Sequence, residues 1–411
     1  MKQGLKYTAS LVLLFSSIAI AADFEVVGLA GNGEITWDDV NTNGTYTVQW
    51  SSSLQTNWSS DWSSLTKIAA AGGIMKAQIP MYFRIIHSPG PTPAAEMMLV
   101  SRGGQPQGPQ YDFYMSKYEV RNEQFCDFLN DAQANPATER GAFMYFSANG
   151  NVYINSIDDR WVMFRISDSR LLYNPDELIG SRYSVYNDYL GHPITGVSWY
   201  GAVKYCNWLT IHEGRGLAQR CYQEGSTHTN WYPAHLTYPK MEDGFSDVER
   251  QQWIGNYAGF RLPMDHNSAE ANYYNEFYKA AAWTGTSNSL YAHGRGTISG
   301  QDANYINSGD PYGAFVIKTT PVGYYDGSSH GGTFQTQSNA NHWEIYDLSG
   351  NVYEWMTDAI HQTWNDSPNC RGGGWNSASS SCRSIDNTSL GTQFTYSTWS
   401  HVGFRVVSTS P

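Results

Sequence analysis

Asp347-Leu348-Ser349-Gly350-Asn351-Val352-Tyr353-Glu354-Trp355 is the stretch from which the rest of the chain is read. Two carboxylates, Asp347 and Glu354, stand seven residues apart across a turn that contains Gly350. A glycine at such a turn lets the backbone bend so that carbonyl oxygens point inward. Two carboxylates with two carbonyls make an all-oxygen donor set, the kind a hard cation such as Ca2+ prefers. The alternative role for these acids is structural, as turn caps or as partners of Arg371 or Arg405.

Other strings surround this turn in a fixed order. Met98-Leu99-Val100 and Phe113-Tyr114-Met115-Ser116-Lys117-Tyr118-Glu119-Val120-Arg121-Asn122 come first. Pro193-Ile194-Thr195-Gly196-Val197-Ser198-Trp199 leads into Ala202-Val203-Lys204-Tyr205-Cys206-Asn207-Trp208-Leu209. Phe260-Arg261-Leu262-Pro263 precedes Glu276-Phe277-Tyr278-Lys279-Ala280-Ala281. After the turn come Arg371-Gly372-Gly373-Gly374-Trp375 and the closing Gly403-Phe404-Arg405. Each string is weak alone. Together and in this order, from residue 96 to residue 411, they resemble the formylglycine-generating enzyme (sulfatase-modifying factor) family.

The resemblance implies a C-type-lectin-like α+β fold, low in regular secondary structure. It implies calcium held by the side chains of Asp347 and Glu354 and the carbonyls of Gly350 and Val352. Asp347 stands where the family more often has Asn; either supplies an oxygen. A second calcium site of the family maps onto Ala303-Asn304-Tyr305 and Gly309-Asp310-Pro311-Tyr312, with Asn304, Tyr305 and Asp310 as its candidates. The family's oxidase chemistry needs two cysteines five apart, whose thiolates hold the soft ion Cu(I). Here Cys382 falls on the second cysteine position, but the first is Ser377, a poor ligand for Cu(I), and Gly374 replaces the usual Ser. Copper is therefore not expected. The segment from Asn376 to His401 lines the family's substrate cleft. With Trp375 it supplies Asn376, Asn387, Tyr396 and Trp399 as candidate substrate-binding residues.

Composition agrees with a loop-rich globular protein. Aromatic residues make up 15% of the chain, as do charged ones, and glycine occurs 39 times. Disorder requires few aromatics and high charge, so it is excluded for the bulk of the chain. Net charge is -12 at pH 7, with no basic run, which excludes a nucleic-acid binder. No Gly-x-Ser-x-Gly elbow or phosphate loop occurs. His212-Glu213-Gly214-Arg215-Gly216 is not a zinc motif, because Gly216 stands where the second histidine would be.

The N-terminus reads as an export signal. Lys2 and Lys6 precede the apolar stretch Leu11 to Ile20, and Ala19-Ile20-Ala21 fits a small-x-small cleavage pattern, placing the mature start near Ala22. The stretch is short for a span of ~30 Å of hydrocarbon. The expected compartment is extracytoplasmic, either periplasmic or secreted. Disulfides are permitted there; Cys206 with Cys221 and Cys370 with Cys382 are candidate pairs, and five cysteines leave one over. Cys126, in a helical pattern, reads as a buried thiol.

Residues 22–88 form a small all-β module, with period-2 strands at Tyr46–Trp50 and Met81–Ile85, and 89–95 is a Pro-rich linker. In residues 96–411 helices are expected from Asn122 to Asn130, Ser198 to Ile211 and Ala269 to Ala282. Two functions follow. One is recognition of an exported protein or other extracytoplasmic ligand, or non-standard maturation of one. The other is a formylglycine-generating oxidase acting on a cysteine of exported sulfatases. Ser377 favours the first.

Overall fold

A computed structural model describes residues 25–29, 34–39, 45–51, 68–69, 73–78, 82–88, 96–103, 108–234, 247–265, 275–330, 334–359, 368–384 and 394–411. The leader 1–21, the linker 89–95 and Asn387 lie outside the described residues. The chain divides into two compact units, Met1–Pro91 and Thr92–Pro411.

The first unit is all-β among its described residues, as its alternating pattern predicts. One antiparallel sheet runs Glu25–Leu29, Glu34–Asp39, Gly73–Gln78. Another runs Ile68–Ala69, Thr45–Ser51, Tyr82–Ser88. The two strands read from sequence are both present, each slightly longer than its pattern.

Among its described residues, the second unit packs short strands and four α-helices around aromatic rings. Helix α1, Asn122–Ala134, begins at the expected Asn122 and runs four residues past the expected Asn130; Arg121 is the cap, and its N–H donates to the Gln124 side chain at 2.9 Å. Helix α2, Trp199–His212, is capped by Ser198, whose hydroxyl also donates to Val162 O at 2.6 Å. Most of α2 is buried on every side, so it forms the centre of the unit rather than a surface. Phe125 of α1 stacks on Tyr205 of α2, and Phe404 packs edge-on against both rings. The indoles of Trp199 and Trp355 are fully buried, and each N–H finds a carbonyl at 2.9 Å, on Met356 and Val197.

Helix α3, Asp247–Asn256, was not expected; helix α4, Glu276–Ala282, is the C-terminal part of the third expected helix. The central strand of the site, Tyr353–Ala359, pairs antiparallel with Pro368–Arg371 and parallel with Val402–Gly403. Near the C-terminus, Val407–Ser408 pairs with Phe113–Ser116, which pairs with Met97–Val100, so the two ends of the unit close on each other.

None of the five cysteines forms a disulfide, so neither pair suggested by sequence is bridged. All five are buried, and burial pushes the thiols of Cys126, Cys206, Cys221 and Cys370 up. Cys370 lies on a core strand opposite Trp355, whereas Cys382 ends a short helical turn. Among the described residues no helix is long and apolar enough to cross a membrane.

Buried ion pairs replace disulfides as the cross-links between distant segments. Arg261 makes a two-pronged contact to Glu276 at 2.5 and 2.6 Å, with both groups inside the core. Arg371 does the same with Asp265 at 2.6 and 2.5 Å. Removing one member strands the other charge away from water. Arg261→Leu is expected to cost about 3–5 kcal/mol in a denaturant titration. A loss within surface-substitution scatter of about 0.5 kcal/mol would show that this pair does not hold α4 in place.

Candidate functional site

The turn from Asp347 to Glu354 is buried within the second unit. Asp347 and Asn351 have φ of 60° and 65°, and Gly350 has φ of 94°. A side chain at Gly350 would collide with the Asn304 carbonyl, so glycine is required here for conformation and for close approach. The Asn351 N–H donates to the Asn304 carbonyl at 2.8 Å, and its side-chain oxygen accepts from the Thr320 N–H at 3.0 Å. These bonds hold the turn in place from outside.

Its acids are buried and differently engaged. Asp347 accepts from the Gly323 N–H at 2.6 Å and from the Asn339 amide at 2.9 Å. Glu354 accepts two bonds from Arg405, at 2.6 Å from Nε and 2.7 Å from Nη2. Glu354 thus takes the structural role that the sequence left open, while Arg371 turns instead to Asp265.

A third carboxylate, Glu119, was not singled out from sequence. It is 1% exposed, and neither of its oxygens accepts a hydrogen bond. Burial pushes its carboxyl well above the usual range; the nearby Asp347 pushes the same way and Arg405 opposes it. Burial likewise raises Asp347 and Glu354.

Three buried carboxylates around one guanidinium leave an excess of two negative charges when all are ionised. Buried charge without a partner is costly, so the cluster suits a divalent cation in charge as well as in donor type. Among the described residues no three acidic, His or Cys side chains converge on one point as metal ligands, so a cation here would need backbone carbonyls. Gly350 and Val352 are the turn residues from which the resemblance would draw them.

The second expected site is held by its own bonds. Asp310 caps the short helix Pro311–Ala314, accepting from the Tyr312 N–H at 2.9 Å and from the Ser308 hydroxyl. Asn304 donates to the Lys318 carbonyl at 2.6 Å, and the Tyr305 carbonyl accepts from the Ser308 N–H at 3.0 Å.

At the copper-cysteine positions, the Ser377 hydroxyl accepts from the Gly374 N–H at 3.1 Å, within its own turn. The Cys382 sulfur is buried under Gly373, where φ is 75° and an added Cβ would lie 2.8 Å from the sulfur. One thiol and one engaged hydroxyl do not fit Cu(I), which selects paired thiolates.

The last segment presents rings. Trp399 is 42% exposed and Phe394 37%, and Phe394 stacks on Tyr396 at 5.1 Å. Tyr396 packs against the core and Trp375 is partly buried, with its indole N–H on the Ser400 carbonyl, so these two serve structure as well as surface. Asn376 is exposed. Polar neighbours come from a segment, Arg165 to Asp168, that carries no motif. Thr398 donates to Asp168 at 2.8 Å and accepts from Arg165 at 3.3 Å. His401 is ringed by Trp399, Trp375 and Tyr353 at 5.7, 6.5 and 6.2 Å, and burial lowers it to about 4.

Residues 96–410 match the family described as the sulfatase-modifying factor enzyme 1-like domain. Similar solved structures include CarF, at 19% identity over 77% of this chain and 98% of that one, with a TM-score of 0.43. Treponema denticola variable protein 1 is 18% identical over 76% of this chain and 94% of that one, with a TM-score of 0.40. No curated protein sequence matches the chain.

The aromatic ring around His401 has a consequence for acid stability. The unfolded histidine takes a proton near 6.5, whereas the folded one resists it down to about 4. Its contribution is therefore present above pH 6.5 and is lost as pH falls toward 4. His401→Asn should flatten the acid side of the stability curve by up to about 1.4 kcal/mol per pH unit relative to wild type. Parallel curves for the two proteins, from melts at a series of pH values, would contradict this.

Proposed function

The chain belongs to the sulfatase-modifying factor family, and we propose that within it this protein is a calcium-stabilised recognition protein that acts outside the cytoplasm. The observation that carries this reading is the state of the two copper-cysteine positions. Ser377 is committed to its own turn and Cys382 is covered by Gly373, so the pair supplies one buried sulfur where the oxidase chemistry needs two. What remains exposed is a ring-rich surface around Phe394 and Trp399, edged by Thr398, Asp168 and Arg165. Rigid rings supply contact area at low entropic cost, and the hydroxyl, carboxylate and guanidinium supply directional bonds. That combination suits an exported protein or another extracytoplasmic ligand. The leader at residues 1–21 supports export, so the mature protein is expected to begin near Ala22.

Calcium fits the Asp347–Glu354 turn by charge and by oxygen donors. Its role there would be to neutralise buried acids and to rigidify the strand that begins at Tyr353.

Two measurements test the reading. A Cys-x-Pro-x-Arg peptide incubated with the protein, copper, reductant and oxygen should keep its mass. Thiol-to-aldehyde conversion that disappears in Cys382→Ala would make the protein an oxidase and overturn the recognition reading. Calcium in hundredfold excess over Kd should add about 2.7 kcal/mol of stability, which a chelator and Asp347→Ala should both remove. An unchanged melting temperature under all three conditions would remove calcium from the account.

A further inference from the structure

Glu119 is a buried carboxyl whose two oxygens both lack a hydrogen bond. It lies between two backbone bonds that join its segment to the one carrying Arg405: the Val120 N–H donates to the Phe404 carbonyl and the Ser116 N–H to the Val406 carbonyl, both at 2.9 Å. The Tyr346 N–H donates to the Lys117 carbonyl at 2.9 Å, which brings the start of the Asp347 turn to the same place. Glu119, Arg405 and Asp347 are thus held together by backbone, whatever their side chains do.

The guanidinium spends its donors elsewhere. Nε and Nη2 reach Glu354, Nη2 also reaches the Tyr346 carbonyl at 2.9 Å, and Nη1 reaches the Ser116 carbonyl at 3.1 Å. Glu119 is left with no donor although it is fully buried and lies within the field of that same guanidinium. A buried carboxylate without a partner is rare enough to require an explanation.

We propose that Arg405 is a shared counter-ion that pairs with Glu354 when the turn holds no cation and with Glu119 when a divalent cation occupies it. This rests on the calcium reading above. A cation that draws on Glu354 competes with the guanidinium for the same oxygens. Moving the guanidinium to Glu119 satisfies all three carboxylates at once: two on the cation, one on Arg405. The backbone bonds on both sides of Arg405 stay in place, so only its side-chain torsions change. Glu119 is then a positioning residue for the cation site and not a ligand, consistent with the lack of three converging ligand side chains among the described residues. The exchange also predicts selectivity, since a monovalent ion leaves an uncompensated charge that a divalent ion does not.

The test combines a mutant cycle with a spectroscopic signal. Glu119→Gln, Glu354→Gln and the double variant are melted in chelator. Each single variant should melt within a few degrees of wild type, because Arg405 retains one carboxylate. The double variant should fall by clearly more than the sum of the two. Additive shifts would overturn the exchange, whether or not calcium binds. The second measurement uses wild type, so it survives any variant that fails to fold: the Arg405 Nε–H resonance, assigned with Arg405→Lys, is followed as calcium chloride is added. It should shift on binding, and Glu119→Gln should weaken calcium affinity about tenfold or more. A calcium-induced melting shift with an unmoved Arg405 resonance would overturn the exchange and leave the calcium reading intact. No calcium effect on wild type would overturn the calcium reading itself, and the mutant cycle would still decide whether Arg405 has two alternative partners.

Discussion

The guanidinium of Arg405 is the constraint on which the second unit depends. It joins Glu354 on the central strand, Ser116 at the end of an N-terminal strand and the Tyr346 carbonyl at the entrance to the turn. Three segments distant in sequence therefore meet at one fully buried side chain. Charge-assisted bonds of this kind are short and directional, and they fix position in a way that apolar packing does not. A domain of short strands and long connections has few long ladders to do this work. Arg261 with Glu276 and Arg371 with Asp265 repeat the device at two further junctions.

Three buried acids and one guanidinium share the surroundings of this turn. The same strand that carries Glu354 starts at Tyr353, whose N–H donates to the His401 carbonyl and whose ring borders His401. His401 in turn lies beside Trp399 on the exposed ring surface. Order at the turn is thereby connected, through one strand and one carbonyl, to the surface proposed for recognition. Near the same turn, the Ser349 hydroxyl donates to the Cys382 carbonyl at 2.8 Å, and the Cys382 sulfur lies under Gly373.

Much of this was legible in the sequence, and for identifiable reasons. Ser198 before an apolar run announced α2, alternation announced the strands of the first unit, and the ordered strings from Met98 to Arg405 announced the fold. The need for glycine at position 350 could be read from the turn itself. Glu119 could not be singled out, because its neighbours are set by pairing between segments nearly three hundred residues apart. Arg165 and Asp168 lie in a stretch with no motif, and the loop carrying Thr398 brings them to the ring surface. Helix α3 is polar, with few apolar positions to mark its period. The choice of Arg405 over Arg371 as the partner of Glu354 is likewise a matter of register, since Arg371 lies opposite Glu354 on the neighbouring strand yet sends its side chain to Asp265.

We propose that a divalent cation balances the negative charge buried at the Asp347–Glu354 turn. Anomalous X-ray scattering from crystals grown with calcium tests it most directly. Bound calcium should give a peak about 2.4 Å from oxygens of Asp347 and Glu354 and from the carbonyls of Gly350 and Val352. A turn with no peak, and with Glu354 still held by both prongs of Arg405, would contradict it.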